Sequence, residues 1–265
     1  MSTVQIREKD EYLKKTAVNV EKHLAIPEWS LKEKLALSAR MLAVDGHDSG
    51  LAGQLTARAS APGTYWMLRF GLGLEETTPE NLLLVDDDLN VLEGVGMSNP
   101  SNRFHLWIYR HRADVNSVIH THPPHVSALS MIGVPLEVAH MDTSMFYEDC
   151  AWLPKWPGVP VGDDEGRIIT DALGSKRSIL LANHGQLCAC GTVEEATVMA
   201  LFFERAAKLQ LMARSAGEIQ AIDPALAREA HDYRLKPRTI GATFAYYARR
   251  VLKLEPTLLD PVGEA

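Results

Sequence analysis

The sequence predicts a single α/β domain behind a helical N-terminal arm. Three observations carry this expectation. Apolar residues recur at helical spacing in several stretches, and short strand-like runs lie between them. No internal repeat, low-complexity tract or interdomain linker divides the 265 residues. At 46% hydrophobic and 23% charged, such a chain can bury a substantial core.

Taken in order, residues 5–30 are charged and without a strong period, and read as a helical arm. The expected organisation is therefore an arm over 1–30 and one domain over 31–265, ending in a C-terminal helical extension. "LKEKLALSARMLAVDG" carries Leu31, Leu35, Leu37, Met41 and Leu42 at helical spacing and ends in Gly46, a helix stop. "GLAGQLTAR", "TYWMLRF", "NLLLVD" and "LNVLEG" read as strands divided by Gly, Asp and Pro turns. "NRFHLWIYRHR" reads as a helix with Phe104, Trp107 and Ile108 on one side. "NSVIHTH" reads as a strand stopped by Pro123 and Pro124. A Ser/Ala-rich helix near 125–132 precedes a long irregular stretch, "FYEDCAWLPKWPGVPVGDDEG". "SKRSILLANHG" is the next clear strand, ending at His184 and Gly185. Thr192 with Glu195 fits a capping box opening a helix striped by Met199, Phe202, Phe203, Ala206 and Leu209. "ATFAYYARRVLKL" reads as a last short helix.

Composition excludes several functional classes. A net charge of −7 argues against a dedicated nucleic-acid binder, because phosphate recognition needs a basic face. No apolar run reaches the ~18 residues of a membrane span, and "MSTVQIREKDEYLKK" has no apolar signal core. Cys150, Cys188 and Cys190 are too few for a disulfide framework. The expected setting is the reducing cytoplasm, with a small-molecule substrate and neither nucleic acid nor membrane as partner.

"SVIHTHPPH", residues 117–125, sets three histidines into nine positions. Side chains at i and i+2 of a strand share a face, so His120 and His122 converge. His184 stands at the end of a second strand, just before a glycine. Three neutral imidazoles suit Zn²⁺ or a neighbouring divalent transition metal, and three protein ligands leave a position open for water or substrate. A His-x-His pair is weak evidence by itself, and packed or solvated histidines are the plain alternative. His125 is expected to be a supporting or structural group. For His105 and His111 packing or solvation is expected, and Cys188 and Cys190 read as apolar thiols of a reduced core.

At these residues the chain resembles the class II aldolase/adducin family. "RFHLWIYRHRADVNSVIHTH" is similar to that family's helix–strand unit ending in a metal-binding His-x-His, and "LLANHGQLCACGTVEEA" to its later strand, His-Gly and helix. "GLAGQLTAR" and "TTPENLLLVD" resemble its earlier segments, so the likeness spans roughly residues 30–215. The resemblance implies a three-layer α/β/α sandwich around a mostly antiparallel central sheet. It also implies one divalent ion on His120, His122 and His184, with Zn²⁺ or Mn²⁺ expected and Co²⁺ or Mg²⁺ as alternatives. A homo-oligomer, a tetramer with active sites between subunits, is implied as well.

Two departures from the sugar-phosphate aldolases of that family stand out. Their proton-shuttling glutamate precedes the Arg-Phe-His stretch; here Ser101 takes that place by spacing to His120. A serine has neither carboxylate charge nor a pKa near neutrality. Their phosphate is held by small residues in three loops that here read "AGQL", "RFGLG" and "SNPS", with bulky Phe70 in a hydroxyl residue's place. Gln54, Arg69, Gly71 and Asn99 of these loops are the expected substrate contacts. Arg69 is suited to a bidentate carboxylate, the alternative being an ordinary strand-end arginine.

The expected activity is that of a metal-dependent carbon–carbon lyase of aldolase type. It would cleave or form a bond in a small, non-phosphorylated carbonyl or carboxylate substrate through a metal-stabilised enolate. Decarboxylation of a hydroxyaromatic or keto acid is the alternative within that chemistry, and a non-catalytic adducin-head-like module the alternative outside it. His140 is the first candidate for the missing proton-transfer group, because the aldolases place a tyrosine from a neighbouring subunit in about that segment. Tyr147, Glu148 and Tyr233 follow, and Ser101 joins the candidate catalytic set as a hydrogen-bonding group.

Overall fold

The computed structural model describes residues 8–260. Arm residues 1–7 and the terminal 261–265 lie outside them. Alternating burial makes the architecture. Along β5 (Ser117–Thr121), Val118 faces one apolar cluster and Ile119 the other. Along β7 (Ser178–Leu181), Leu180 faces one cluster, and Ile179 and Leu181 the other. Period-two alternation with both faces apolar means that helices cover the sheet on each side.

The sheet has eight strands: β1 (Gln54–Arg58), β2 (Thr64–Met67), β3 (Leu83–Asp86), β4 (Val91–Glu93), β5, β6 (Cys150–Leu153), β7 and β8 (Gln186–Cys190). Their order is β4-β3-β2-β1-β5-β8-β7-β6, antiparallel except for the β6–β7 pair. One face packs α2 (Leu31–Val44), α4 (Pro124–Met131), α6 (Val193–Ala216) and α8 (Pro237–Leu254) through Leu35, Val126, Phe203 and Phe244. The other packs α3 (Arg103–His111) and α5 (Asp163–Leu173) through Phe104, Ile108, Ile169 and Leu173. This is the three-layer sandwich with a mostly antiparallel sheet. Among the described residues no helix is long and apolar enough to cross a membrane.

Local chemistry explains the element boundaries. Ser30 and Glu33 form a reciprocal capping box at the start of α2, which ends before Gly46 at φ +81°. Thr192 caps α6 by accepting from Glu195 N–H, but the Glu195 carboxylate reaches one residue further back, to Gly191 N–H. The expected box is therefore only half formed. On α3 the buried residues are Phe104, His105, Leu106, Ile108 and Tyr109. Trp107 stands at the helix edge, where its indole N–H donates to Asp163 at 3.0 Å.

The stretch expected to be irregular is only partly so. It contains β6 and the start of α5, separated by the proline-bearing loop 154–162. β6 is four residues long with both faces partly covered, and such a strand shows no polar–apolar alternation. β8, "QLCAC", is buried throughout and likewise shows no alternation. The last helix begins at Pro237, five residues earlier than expected, and α7 (Pro224–Arg234) is a further, mostly polar helix capped by Asp223. The arm contains α1 (Lys9–His23), which buries no residue.

Candidate metal centre

Three elements position three imidazoles. His120 lies in β5 and His122 one residue beyond its end, while His184 sits in the turn between β7 and β8. The β5–β8 register pairs Thr121 with Gln186, which brings that turn beside the end of β5. Gly185 makes the approach possible: a Cβ there would stand 2.5 Å from both His122 Cδ2 and Thr121 O. Asn183, at φ +54°, takes the left-handed position that asparagine tolerates, and its N–H donates to Ser130 O of α4 at 3.1 Å.

The ligand atoms of His120, His122 and His184 lie within 4.8 Å of one another, and the three ring centroids are each 4.6 Å apart. His120 Nε2 and His122 Nε2 are 2.8 Å apart. Four-coordinate zinc with nitrogen bonds of about 2.1 Å places its nitrogens roughly 3.4 Å apart, between these two bounds. His120 Nδ1 donates to Gln186 O at 2.7 Å, which fixes the tautomer and leaves Nε2 as an acceptor facing His122 Nε2. Phe104 packs edge-on against the same ring at 5.2 Å. His120 is buried, whereas His122 and His184 are half-buried, so the cluster has an open side. Trp156, half exposed in the loop after β6, borders His184 at 6.5 Å between ring centres.

Protonation is disfavoured throughout the cluster. Burial, then the neighbouring His184, His122 and His105, pushes His120 well below the usual imidazole range. Burial lowers His122 as well, and burial with His122 takes His184 down to about 4. Neutral nitrogen donors converging on one point are the form that binds a divalent ion. The residues present therefore fit such an ion.

Beside the cluster, Gln54 lies opposite His120 in the β1–β5 register. Gln54, Arg69, Phe70, Asn99 and Asn102 line one cavity. Phe70 is partly exposed at its mouth, and Arg69 lies beside Gly96. Gly71, at φ +96°, forms the adjoining turn and is not among the lining residues. Asn102 is not singled out by the sequence, and His105, expected to be packed or solvated, is packed. Both are buried, and Asn102 Oδ1, His105 Nε2 and Gln54 Oε1 have no hydrogen-bond partner. Asn102 Nδ2 meets only the sulfur of Met67, at 3.0 Å. No periodicity marks such residues; the helical spacing of "NRFH" gives at most the face they share.

The other candidates make their contacts elsewhere. Ser101 sits in the 3₁₀ turn before α3, where its N–H donates to Asn99 Oδ1 at 2.9 Å. His140 caps the 3₁₀ segment Met141–Phe146 by accepting from Asp142 N–H at 3.1 Å, and it lines a cavity with Ala206 and Gln210 of α6. Tyr147 lies under the Arg228 guanidinium at 5.1 Å, and Tyr233, 40% exposed, lies near the Lys236 ammonium at 5.2 Å. Glu148 pairs with Arg228.

Comparison with known proteins decides the family. The profile of the class II aldolase and adducin N-terminal domain matches residues 33–211. The chain belongs to the class II aldolase/adducin family. It is 32% identical to the decarboxylase NovR of Streptomyces niveus over 75% of each chain. It is also 32% identical to the 3,4-dihydroxyphthalate decarboxylase of Arthrobacter keyseri, over 70% of this chain and 79% of that one. Among solved structures, L-fuculose 1-phosphate aldolase from Glaciozyma antarctica superposes with a TM-score of 0.79 at 27% identity. That match covers 88% of this chain and 96% of the other. Homologues of this family are named both aldolases and decarboxylases, and a lyase-type enzyme is the activity class they support.

Proposed function

We propose that the protein is a metal-dependent carbon–carbon lyase acting on a small, non-phosphorylated carbonyl or carboxylate substrate. The observation that carries this is the convergence of three imidazoles, open on one side, with Gln54 opposite His120 and a small recess lined by Gln54 and Arg69 next to it. His120, His122 and His184 would hold one divalent ion, Zn²⁺ or Mn²⁺ in the first instance. Such an ion, when bound, supplies Lewis-acid polarisation of substrate oxygens. Arg69 binds the substrate carboxylate, with Gln54 and Asn99 as neighbouring polar contacts and Gly71 shaping the turn. Phe70 takes space that a phosphate would need and offers it no donor.

Ser101 favours decarboxylation over aldol cleavage. Retro-aldol cleavage needs a base for the hydroxyl proton and then an acid for the carbon. Decarboxylation breaks the bond to the carboxylate, releases CO₂, leaves the electron pair on carbon and needs only the acid. Serine is a poor base at neutral pH, so its presence costs decarboxylation little. The identity to two named decarboxylases supports the same choice. The proposed acid is His140, contributed across a subunit interface of a cytoplasmic homotetramer, with Tyr147 and Tyr233 as alternatives. Aldol cleavage remains the second reading, favoured by the fold shared with L-fuculose 1-phosphate aldolase.

The test is a screen of small hydroxy-keto acids and hydroxyaromatic acids with and without added Mn²⁺, Zn²⁺ or Co²⁺. Metal-dependent CO₂ release without an aldehyde product is expected. Efficient, saturable cleavage of a sugar phosphate would overturn the assignment of both substrate class and cavity.

A further inference from the structure

We propose that Glu204 of α6 is a positioning residue of the histidine cluster, holding the segment that carries His122. The inference rests on the metal reading above. His122 lies beyond the last residue of β5, where the sheet ladder has ended. Pro123 and Pro124 follow, and neither has an N–H to anchor the chain. The first backbone donors after His122 are therefore those of His125 and Val126, and both are spent on one carboxylate. His125 N–H lies 3.1 Å from each oxygen of Glu204, and Val126 N–H donates to Oε2 at 2.9 Å. The His125 ring adds Nδ1 at 2.5 Å from Oε1.

These donors form the first turn of α4, whose N-cap is Pro123, a residue with no side-chain acceptor. Glu204 supplies the missing cap from another helix, and the positive end of α4 favours its charge. The carboxylate side chain is 10% exposed. Desolvating it there is sustainable because donors surround it.

The same face of α6 also meets Gln186, a neighbour of the cluster. One turn before Glu204, Ala200 O accepts from Gln186 Nε2 at 3.1 Å. Gln186 in turn offers its own carbonyl to His120 Nδ1, and it lies two residues after His184. Ala200 and Glu204 thus reference all three imidazoles to one long helix. Glu204 acts on His122, which lies beyond the end of β5. Ligand orientation of this kind is worth about 10- to 100-fold in metal affinity.

The experiment is Co²⁺ affinity, measured by competition with a chelator on the full chain, together with the visible absorption of the Co²⁺-loaded protein. Glu204→Gln retains volume and one acceptor oxygen, so about a 10-fold weaker dissociation constant and shifted bands are expected. Glu204→Ala should weaken binding toward 100-fold. Thr192→Ala, which uncaps α6 far from the cluster, should leave both readouts unchanged, so that lost stability alone is separated from lost positioning. Wild-type affinity and spectrum in Glu204→Gln would overturn the proposal even where Glu204→Ala fails to fold. A wild-type chain that binds no Co²⁺ overturns the metal reading and this inference with it.

Discussion

His120 and His231 are both nearly sealed from water, at 1% and 7% exposure, yet their surroundings demand opposite charges. His120 meets a backbone carbonyl, a phenyl edge and two other imidazoles. Nothing there compensates a positive charge, so the ring is neutral, with Nε2 an acceptor turned to the other imidazoles. His231, on α7, has Nε2 3.2 Å from Asp149 Oδ2 and Nδ1 2.7 Å from Asp232 Oδ1. Two carboxylates ask for two N–H groups, which only the imidazolium has. The bond to Asp149 raises its pKa first and that to Asp232 follows, against burial and the nearby Arg228. Burial alone therefore does not assign a histidine's role. The nature of its partners does: carbonyls and imidazoles leave a ligand, carboxylates make an ion pair.

The largest expected effect tests the neutral side of that comparison. His122→Ala or His184→Ala should reduce both bound metal and turnover to background while far-ultraviolet circular dichroism stays native. His231→Gln should leave metal content untouched. Full metal occupancy in His122→Ala would remove the distinction between the two regions.

The comparison sharpens through pH. His47 and His105 are buried with an unpartnered Nε2 each, and burial lowers both to about 3. Their unfolded-state pKa is about 6.5. A depressed folded pKa means that the unfolded chain binds the extra protons, so stability falls as pH drops below 6.5 and continues to fall toward 3. At pH 5 each should cost roughly 2 kcal/mol relative to pH 7. His231 has the opposite sign. Its raised pKa stabilises the fold below about 6.5, and that contribution is lost as pH rises through the folded value. Urea denaturation of wild type, His105→Gln and His231→Gln from pH 5 to 9 measures both limbs. His105→Gln should flatten the acid limb, and His231→Gln the alkaline one.

Particular residues show why the sequence was legible in some places and not in others. His120 and His122 could be paired because strand geometry puts i and i+2 on one face, and His184 joined them through a family motif rather than through periodicity. Leu31–Val44 was readable as a helix because its apolar spacing and stop are both local. β8 was not, since "QLCAC" is buried on both faces and shows no alternation. Nothing local singles out Glu204, because the first turn of α4 that meets it lies 78 positions away at Val126. Asn102 likewise acquires meaning only from the cavity it shares with Gln54. Long-range contacts of this kind leave no trace in a local pattern.

The smallest expected effect falls on Ser101, which by the resemblance takes the place of the sugar-phosphate aldolases' glutamate. A carboxylate at this place would add a titrating group to the pH–rate profile; serine adds none. Its N–H is engaged with Asn99 Oδ1, a contact that Ser101→Ala preserves. What the substitution removes is one hydroxyl, able to hydrogen-bond substrate or water but not to accept a proton near neutral pH. Ser101→Ala should therefore lower kcat/KM by several-fold, equivalent to about 1 kcal/mol, with the shape of the pH profile unchanged. His140→Ala should cost on the order of 10²-fold if it delivers the proton, and should alter that shape. Steady-state rates for both variants across pH 5 to 9 decide between the two groups. A loss at Ser101→Ala as large as that at a metal ligand would mean that proton transfer runs through residue 101 after all.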